Sequence, residues 1–124
     1  MASAKDFSNL KYISLITFRK TGVPVPTPVW LLEDGGLIYV RTDPRSGKAK
    51  RLRRIQRVRI APSDARGRTL GSYVEANARF LEGEDARRIF LLIKRKYGTM
   101  GALVDLFNGL RGNHPTAVIE IKLA

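Results

Sequence analysis

The sequence predicts a mainly β fold, a small antiparallel barrel of six strands with two or three helices as decoration. Six short segments separated by turn-length spacers read as strands, and apolar and polar residues alternate most clearly in 72–81 and 116–123. Glycine-containing turns separate the first three of these segments, and only two or three other segments have helical periodicity. Together these features favour strands joined by hairpins over a bundle of helices. Periodicity alone leaves the topology open.

The predicted strands 12–19, 25–32 and 37–42 form an antiparallel meander. The second of them carries proline at every second position, at 24, 26 and 28. Because proline cannot donate to a β-ladder, this strand is expected to be an edge, to be bulged or to face a ligand. The remaining predicted strands are 58–62, 72–81 and 116–123.

The predicted helices follow from apolar spacing and from charge. The clearest covers 84–97, with acidic residues in its first turn, basic residues in its last and Gly98 at its end. A shorter helix covers 102–110, and a basic helix begins near Lys48 and ends near Ile55. With 124 residues and no linker, we expect a single domain spanning 1–124.

Composition excludes several kinds of chemistry. The chain has no cysteine, which removes thiol catalysis and thiolate metal sites. Its one histidine, His114, lies in a turn signal, so we expect no metal site. No apolar run approaches the roughly 20 residues of a membrane span, and the expected location is the cytoplasm. If the protein is an enzyme, a cofactor is expected to supply the reactive group.

The positive charge is concentrated in one part of the chain. The formal net charge is +12. Residues 41–59 contain nine basic side chains against Asp43 alone, a net charge of +8. Such a field favours an anionic partner, either nucleic acid or a small polyanion.

Residues 41–54 read as the end of a strand, a loop and the start of a helix. A helix start presents unpaired N–H groups and the positive end of the helix dipole, which favours a phosphate or a carboxylate. Ser46 is also a plausible N-cap, a role compatible with phosphate binding. A solvated basic helix and a helix that lies on nucleic acid are the alternatives. Trp30, the one tryptophan, is either an ordinary core aromatic or a contact for a flat ring.

The chain resembles the pyridoxamine-phosphate-oxidase-like split-barrel proteins, and within them the deazaflavin (coenzyme F-420)-dependent oxidoreductases. The resemblance rests on an ordered set of short motifs over roughly residues 12–123. They are 17–22 (TFRKTG), 25–30 (VPTPVW), 37–42 (LIYVRT), 46–52 (SGKAKRL), 60–62 (IAP), 64–67 (DARG) and 96–98 (KYG).

The resemblance implies a six-stranded FMN-binding-like split barrel and a homodimer with cofactor grooves at its interface. It implies hydride transfer from reduced coenzyme F-420 to an unsaturated small molecule, with no protein proton donor that we can name. By this resemblance Thr42, Ser46, Gly47 and Lys48 hold the cofactor phosphate. The other implied cofactor contacts are Arg41 and Arg51 for further anionic groups, and Thr27, Pro28, Val29 and Trp30 along the ring.

The same resemblance offers a reason for the surplus of positive charge. The coenzyme carries an oligoglutamate tail, which would engage Lys50, Arg53, Arg54, Arg57 and Arg59. Two alternatives remain open, an FMN-binding protein on the same barrel and a nucleic-acid-binding module that uses the basic helix. The lack of aromatic residues between 41 and 59 argues against single-strand binding there.

Overall fold

The computed structural model describes the backbone of residues 3–109 and 117–124 and the side chains of 3–98 and 117–124. Its main element is a seven-stranded antiparallel sheet. The strands are β1 (Tyr12–Phe18), β2 (Pro24–Trp30), β3 (Leu32–Asp34), β4 (Leu37–Thr42), β5 (Arg57–Ser63), β6 (Val74–Leu81) and β7 (Ala117–Leu123). The helices are a 3-10 turn (Ala4–Phe7), α1 (Gly47–Arg54) and α2 (Gly83–Gly109).

The order of strands in the sheet is β2-β1-β5-β6-β7-β4-β3. The two end strands, β2 and β3, are separated in sequence by Leu31 alone. The sheet must therefore curl until its two ends approach each other at this residue. The inner face of the curled sheet holds the main apolar core, in which Ile13, Leu15, Val40 and Ile60 are buried. Leu31 is itself 0% exposed.

The mainly β, antiparallel class is confirmed, but two details of the prediction were wrong. There are seven strands rather than six, and residues 12–42 do not form a meander, because β2 and β4 are not neighbours in the sheet. Gly35 and Gly36 both have positive φ, 61° and 85°. Since these two glycines make the turn by themselves, 32–34 remains extended and pairs with β4 as a separate strand.

The proline-spaced strand β2 is an edge of the sheet, as one of the predicted alternatives required. Pro24, Pro26 and Pro28 stand opposite residues of β1 in the ladder. Because proline has no N–H, the N–H groups that β2 donates to β1 must come from the residues between the prolines, Val25, Thr27 and Val29. The proline carbonyls then face the open edge, which has acceptors but few donors and so resists extension by another strand.

The two helices pack on opposite faces of the sheet. Ala49 and Leu52 of α1 are buried, and Leu52 joins the inner core. Ile89 and Ile93 of α2 pack with Tyr39 on the outer face, in a second apolar cluster. Within α2, Gly98 has φ 51° and ψ −128°, so the first helix is interrupted where the sequence predicted its end. The second predicted helix continues as part of α2 to Gly109.

Some predicted features lie outside the described residues. They are His114 with its turn, the last residue of the 102–110 helix and the first residue of the 116–123 strand. Among the helices that are described, none is long and apolar enough to cross a membrane.

Tyr97 and Lys96 hold the crossover at Leu31 in place. The Tyr97 hydroxyl accepts a hydrogen bond from the Leu31 N–H at 2.8 Å. The same hydroxyl lies 2.8 Å from the carbonyl oxygens of Lys11 and Leu31, either of which can accept its proton. The Lys96 ammonium donates to the carbonyls of Leu10 and Leu31, at 2.9 and 2.8 Å. These bonds fix α2 to the point where the sheet ends meet.

Tyr97→Phe should destabilise the protein by about 1–3 kcal/mol, because the buried Leu31 N–H would lose its acceptor. Urea denaturation measures the loss. Tyr12→Phe is the matched control, since no side-chain hydrogen bond of Tyr12 is found among the described residues, and its unfolding should change little. Equal losses in the two variants would refute the role assigned to the Tyr97 hydroxyl.

The buried hydroxyl of Tyr97 should also make the free energy of unfolding fall at alkaline pH. Burial raises the pKa of Tyr97 from 10.0 to about 12. The unfolded chain therefore loses this proton at a lower pH than the native protein does. The contribution of the protonated hydroxyl to stability is complete below pH 10.0 and is lost as the pH rises through about 12. The difference in unfolding free energy between wild type and Tyr97→Phe should shrink over that interval.

Candidate anion site at the start of α1

The site begins where β4 passes into α1. The hydroxyl of Ser46 caps the helix and accepts a hydrogen bond from the Ala49 N–H at 3.1 Å. The Ser46 N–H in turn donates to the Asp43 carbonyl at 3.0 Å, which closes the loop between strand and helix. Thr42, 6% exposed, places its hydroxyl 3.4 Å from that of Ser46. The capping role predicted for Ser46 is therefore confirmed.

Two backbone donors at this helix start remain unused. The Ser46 cap satisfies Ala49 through its hydroxyl and Lys50 through its carbonyl. The N–H groups of Gly47 and Lys48 have no acceptor in the described part of the chain. Free N–H groups at the positive end of a helix dipole are suited to an anion.

Lys48 contributes a positive charge that water solvates poorly. Its side chain is largely buried, and burial together with the nearby Arg51 lowers the pKa of Lys48 below its ordinary 10.5. No described carboxylate lies within ion-pair distance of its ammonium. A partly buried cation without a carboxylate partner is unfavourable until an anion joins it.

Arg51 brings a second cation to the same place. Its Nε donates to the Thr17 hydroxyl at 2.6 Å, and its Nη1 lies 2.9 Å from the point that a Cβ on Gly47 would occupy. The guanidinium therefore covers the first residue of α1, where glycine leaves room for it. Partial burial and the nearby Arg19 lower the pKa of Arg51.

The residues of β2 that were predicted to line a ring do not share one surface. Val29 is 8% exposed and belongs to the inner core. Thr27, two residues earlier in β2, lies on the same face of the strand. Pro28 is exposed and faces the Gly67 loop, 3.5 Å from where a Cβ of Gly67 would be. Trp30 stacks on Tyr97 with ring centres 4.3 Å apart and an 8° interplanar angle. For Trp30 the structure thus shows aromatic packing, and the open backbone edge of β2 is the part available to a ligand.

Arg41 lies on the other face of the sheet from Thr42. Its guanidinium is 5.1 Å from the ring centre of Phe90 in α2. Neighbouring residues of a strand alternate between faces, so Arg41 and Thr42 point in opposite directions. The four predicted phosphate ligands, Thr42, Ser46, Gly47 and Lys48, lie together at the start of α1. Of the two arginines predicted for further anionic groups, Arg51 joins them and Arg41 does not.

Two residues near the site were not predicted to belong to it, Thr17 and Arg19. Thr17 is fully buried in the inward phase of β1, 34 positions before Arg51. The sequence did hold a signal for Thr17, because it is the polar residue on a face of β1 that is otherwise apolar. Its partner could not be inferred, because contacts of that sequence separation depend on topology.

A cavity of about 300 Å³ opens at the other end of α1. Since α1 has eight residues, the helix start and helix end are separated by about 12 Å. The cavity is therefore distinct from the anion site. Its lining consists of Leu52, Arg53, Gln56, Ala78, Arg79, Phe80 and Ile119.

Comparison with known proteins finds similarity in fold. No protein-family model matches the sequence, and no curated protein matches it either. The heme storage protein HutZ from Vibrio cholerae aligns with a TM-score of 0.72 at 15% identity, covering 97% of this chain and 87% of that one. A protein assigned provisionally as a pyridoxamine 5'-phosphate oxidase, from Listeria innocua, gives 0.63 at 17% identity, covering 91% and 83%.

A third structural neighbour is an F-420 reductase, with a TM-score of 0.62 at 13% identity, covering 100% of this chain and 94% of that one. The neighbours are pyridoxamine-oxidase-like split-barrel proteins. At these identities the likeness shows the fold alone, which agrees with the mainly β antiparallel architecture that the resemblance implied, though with seven strands instead of six. The coenzyme F-420 branch remains a prediction, because proteins named for different cofactors share the fold.

Lys48→Met should stabilise the protein by about 1 kcal/mol at neutral pH, because it removes a dehydrated and unpaired cation. The stability of wild type should rise with pH between the lowered pKa of Lys48 and the ordinary 10.5, since there the unfolded chain binds more protons. The gain from Lys48→Met should therefore shrink over that interval, as measured by urea denaturation. Lys5→Met, at an exposed lysine, is the control, and a loss of stability in Lys48→Met would contradict this reading.

Proposed function

We propose that this protein is a coenzyme F-420-dependent oxidoreductase that transfers a hydride to an unsaturated small molecule, acting in the cytoplasm. The observation that carries the proposal is the pair of cations at the start of α1. Lys48 and Arg51 are held close together without a carboxylate among the described residues. A phosphate there would supply the negative charge that the pair lacks.

The residues present fit the phosphate of such a cofactor. Gly47 and Lys48 offer backbone N–H groups, Ser46 and Thr42 offer hydroxyls, and Lys48 and Arg51 offer charge. The coenzyme, when bound, supplies the hydride chemistry. The protein holds the anion, sets the position of the reacting ring and neutralises charge.

The acceptor-rich edge of β2 is the second part of the proposed site. The carbonyl groups of Pro26 and Pro28 face away from β1 and are available to N–H donors. The ring would lie along this edge, at 27–30, instead of on the face of Trp30, which is already stacked on Tyr97. The tight packing of Val29 and Trp30 holds the edge rigid.

We further propose a homodimer in which a second copy covers the groove. On one chain the acceptor-rich edge of β2 is exposed, and the cations at the start of α1 have no carboxylate partner among the described residues. Hydride transfer is favoured when water is excluded, and a second copy would exclude it. The unsaturated substrate would then occupy the space between the two copies.

An FMN-binding protein on the same fold is the second candidate. The observation that favours it concerns the arginines expected to hold an oligoglutamate tail. Arg59 pairs with Glu75 at 2.6 Å, and Arg57 lies 4.1 Å from the ring centre of Phe18 on the outer face of β5. These two are therefore engaged on the outer face of β5, away from the start of α1, which leaves fewer cations there to hold a tail.

Titration of protein into oxidised coenzyme F-420, followed by the fluorescence of the coenzyme, tests the proposal. We expect saturable binding, weakened at least about tenfold by Lys48→Met, since a charge-assisted hydrogen bond is worth about 1.5–3 kcal/mol. Lys5→Met removes the same charge elsewhere and should bind as wild type does. Binding of FMN with no response to coenzyme F-420 would overturn the proposal in favour of the second candidate.

A further inference from the structure

A strongly basic surface extends beyond the anion site. We call it the basic band, and it consists of Arg19, Lys20, Lys50, Arg51, Arg54, Arg57 and Arg59. Only Arg51 of this set belongs to the site at the start of α1. One phosphate would leave most of this charge uncompensated.

Arginines from three elements lie near the end of β1, on both faces of the sheet. Arg51 of α1 reaches Thr17, and its pKa responds to Arg19, so these residues lie close together. On the other side, Arg57 and Arg59 of β5 lie 4.1 and 5.5 Å from the ring centre of Phe18. Three arginines from α1 and β5 therefore lie around 17–19, a segment that contributes Arg19 itself.

The exposed face of α1 extends the band. Lys50 and Arg54 are four residues apart, so their side chains lie on one face of the helix. This face is opposite the buried Ala49 and Leu52, and both basic residues are exposed. Neither has an ion-pair partner among the described residues.

Little negative charge opposes the band. Within the described residues, its one carboxylate partner is Glu75, which contacts Arg59 at 2.6 Å and Arg57 at 3.9 Å. Other acidic residues pair elsewhere, as Asp34 does with Arg88 and Glu120 with Arg79. Seven basic side chains against one acidic side chain leave the band with a net charge of +6.

We propose that the basic band binds the phosphate backbone of double-helical nucleic acid, without reading its sequence. A row of arginines and lysines attracts regularly spaced phosphates and releases their counterions. The band offers no aromatic face for single strands, because Phe18 is 3% exposed beneath its arginines. Val23 is the one large apolar side chain exposed in the adjoining hairpin, which is little for insertion into an anionic bilayer.

The test is fluorescence anisotropy of a labelled DNA duplex of about 20 base pairs, measured between about 50 and 200 mM salt. The variant is K50A/R54A, which removes two charges from the band and leaves the anion site intact. We expect the slope of log affinity against log salt to fall by about two. The matched control is R87A/R95A, which removes two exposed arginines of α2 and should retain the wild-type slope.

Lys48→Met keeps this test separate from the proposed function, since Lys48 is not part of the band. Duplex binding should persist in this variant even where cofactor binding is lost. The proposal is overturned if wild type fails to bind the duplex at low salt, or if both double variants lose slope equally, which would mean attraction by net charge alone. It is also overturned if phosphatidylserine vesicles or single strands bind and the duplex does not.

Discussion

Two cations, Lys48 and Arg51, share a poorly hydrated space at the start of α1 with no carboxylate beside them among the described residues. Burial lowers the pKa of both side chains, and repulsion adds to the effect, from Arg51 at Lys48 and from Arg19 at Arg51. A protein optimised for stability alone would place an acidic residue there or remove the lysine. The arrangement makes physical sense as preorganisation, in which repulsion tolerated without a ligand is relieved when an anion binds.

The rest of the fold holds these cations together. Arg51 is anchored to Thr17 of β1 at 2.6 Å, so the start of α1 depends on the position of β1. That position depends on the curl of the sheet, which the Tyr97 hydroxyl secures through the Leu31 N–H. The cation pair is therefore linked, through the sheet, to a tyrosine contributed by α2. Loss of this anchor should loosen the site as well as lower stability.

The local features were accessible from sequence because they depend on neighbours. The N-cap at Ser46, the interruption at Gly98 and most strand bounds follow from turn residues and apolar spacing. The separate strand Leu32–Asp34 was missed, because one residue, Leu31, divides it from β2 and alternation continues across it. The opposite facing of Arg41 and Thr42 follows from strand alternation and could have been inferred. The contact of Arg41 with Phe90, the stacking of Trp30 on Tyr97 and the Thr17–Arg51 bond depend on long-range pairing that no local pattern encodes.

The central claim is that the Lys48 ammonium is held for an anion, and its pKa reports on this most directly. Lys48 can be titrated by NMR of its side-chain methylene carbon next to the ammonium, with and without inorganic phosphate. The account predicts a pKa below the ordinary 10.5 in the free protein and a rise when phosphate binds, because the anion favours the charged form. An ordinary pKa that phosphate leaves unchanged would contradict it.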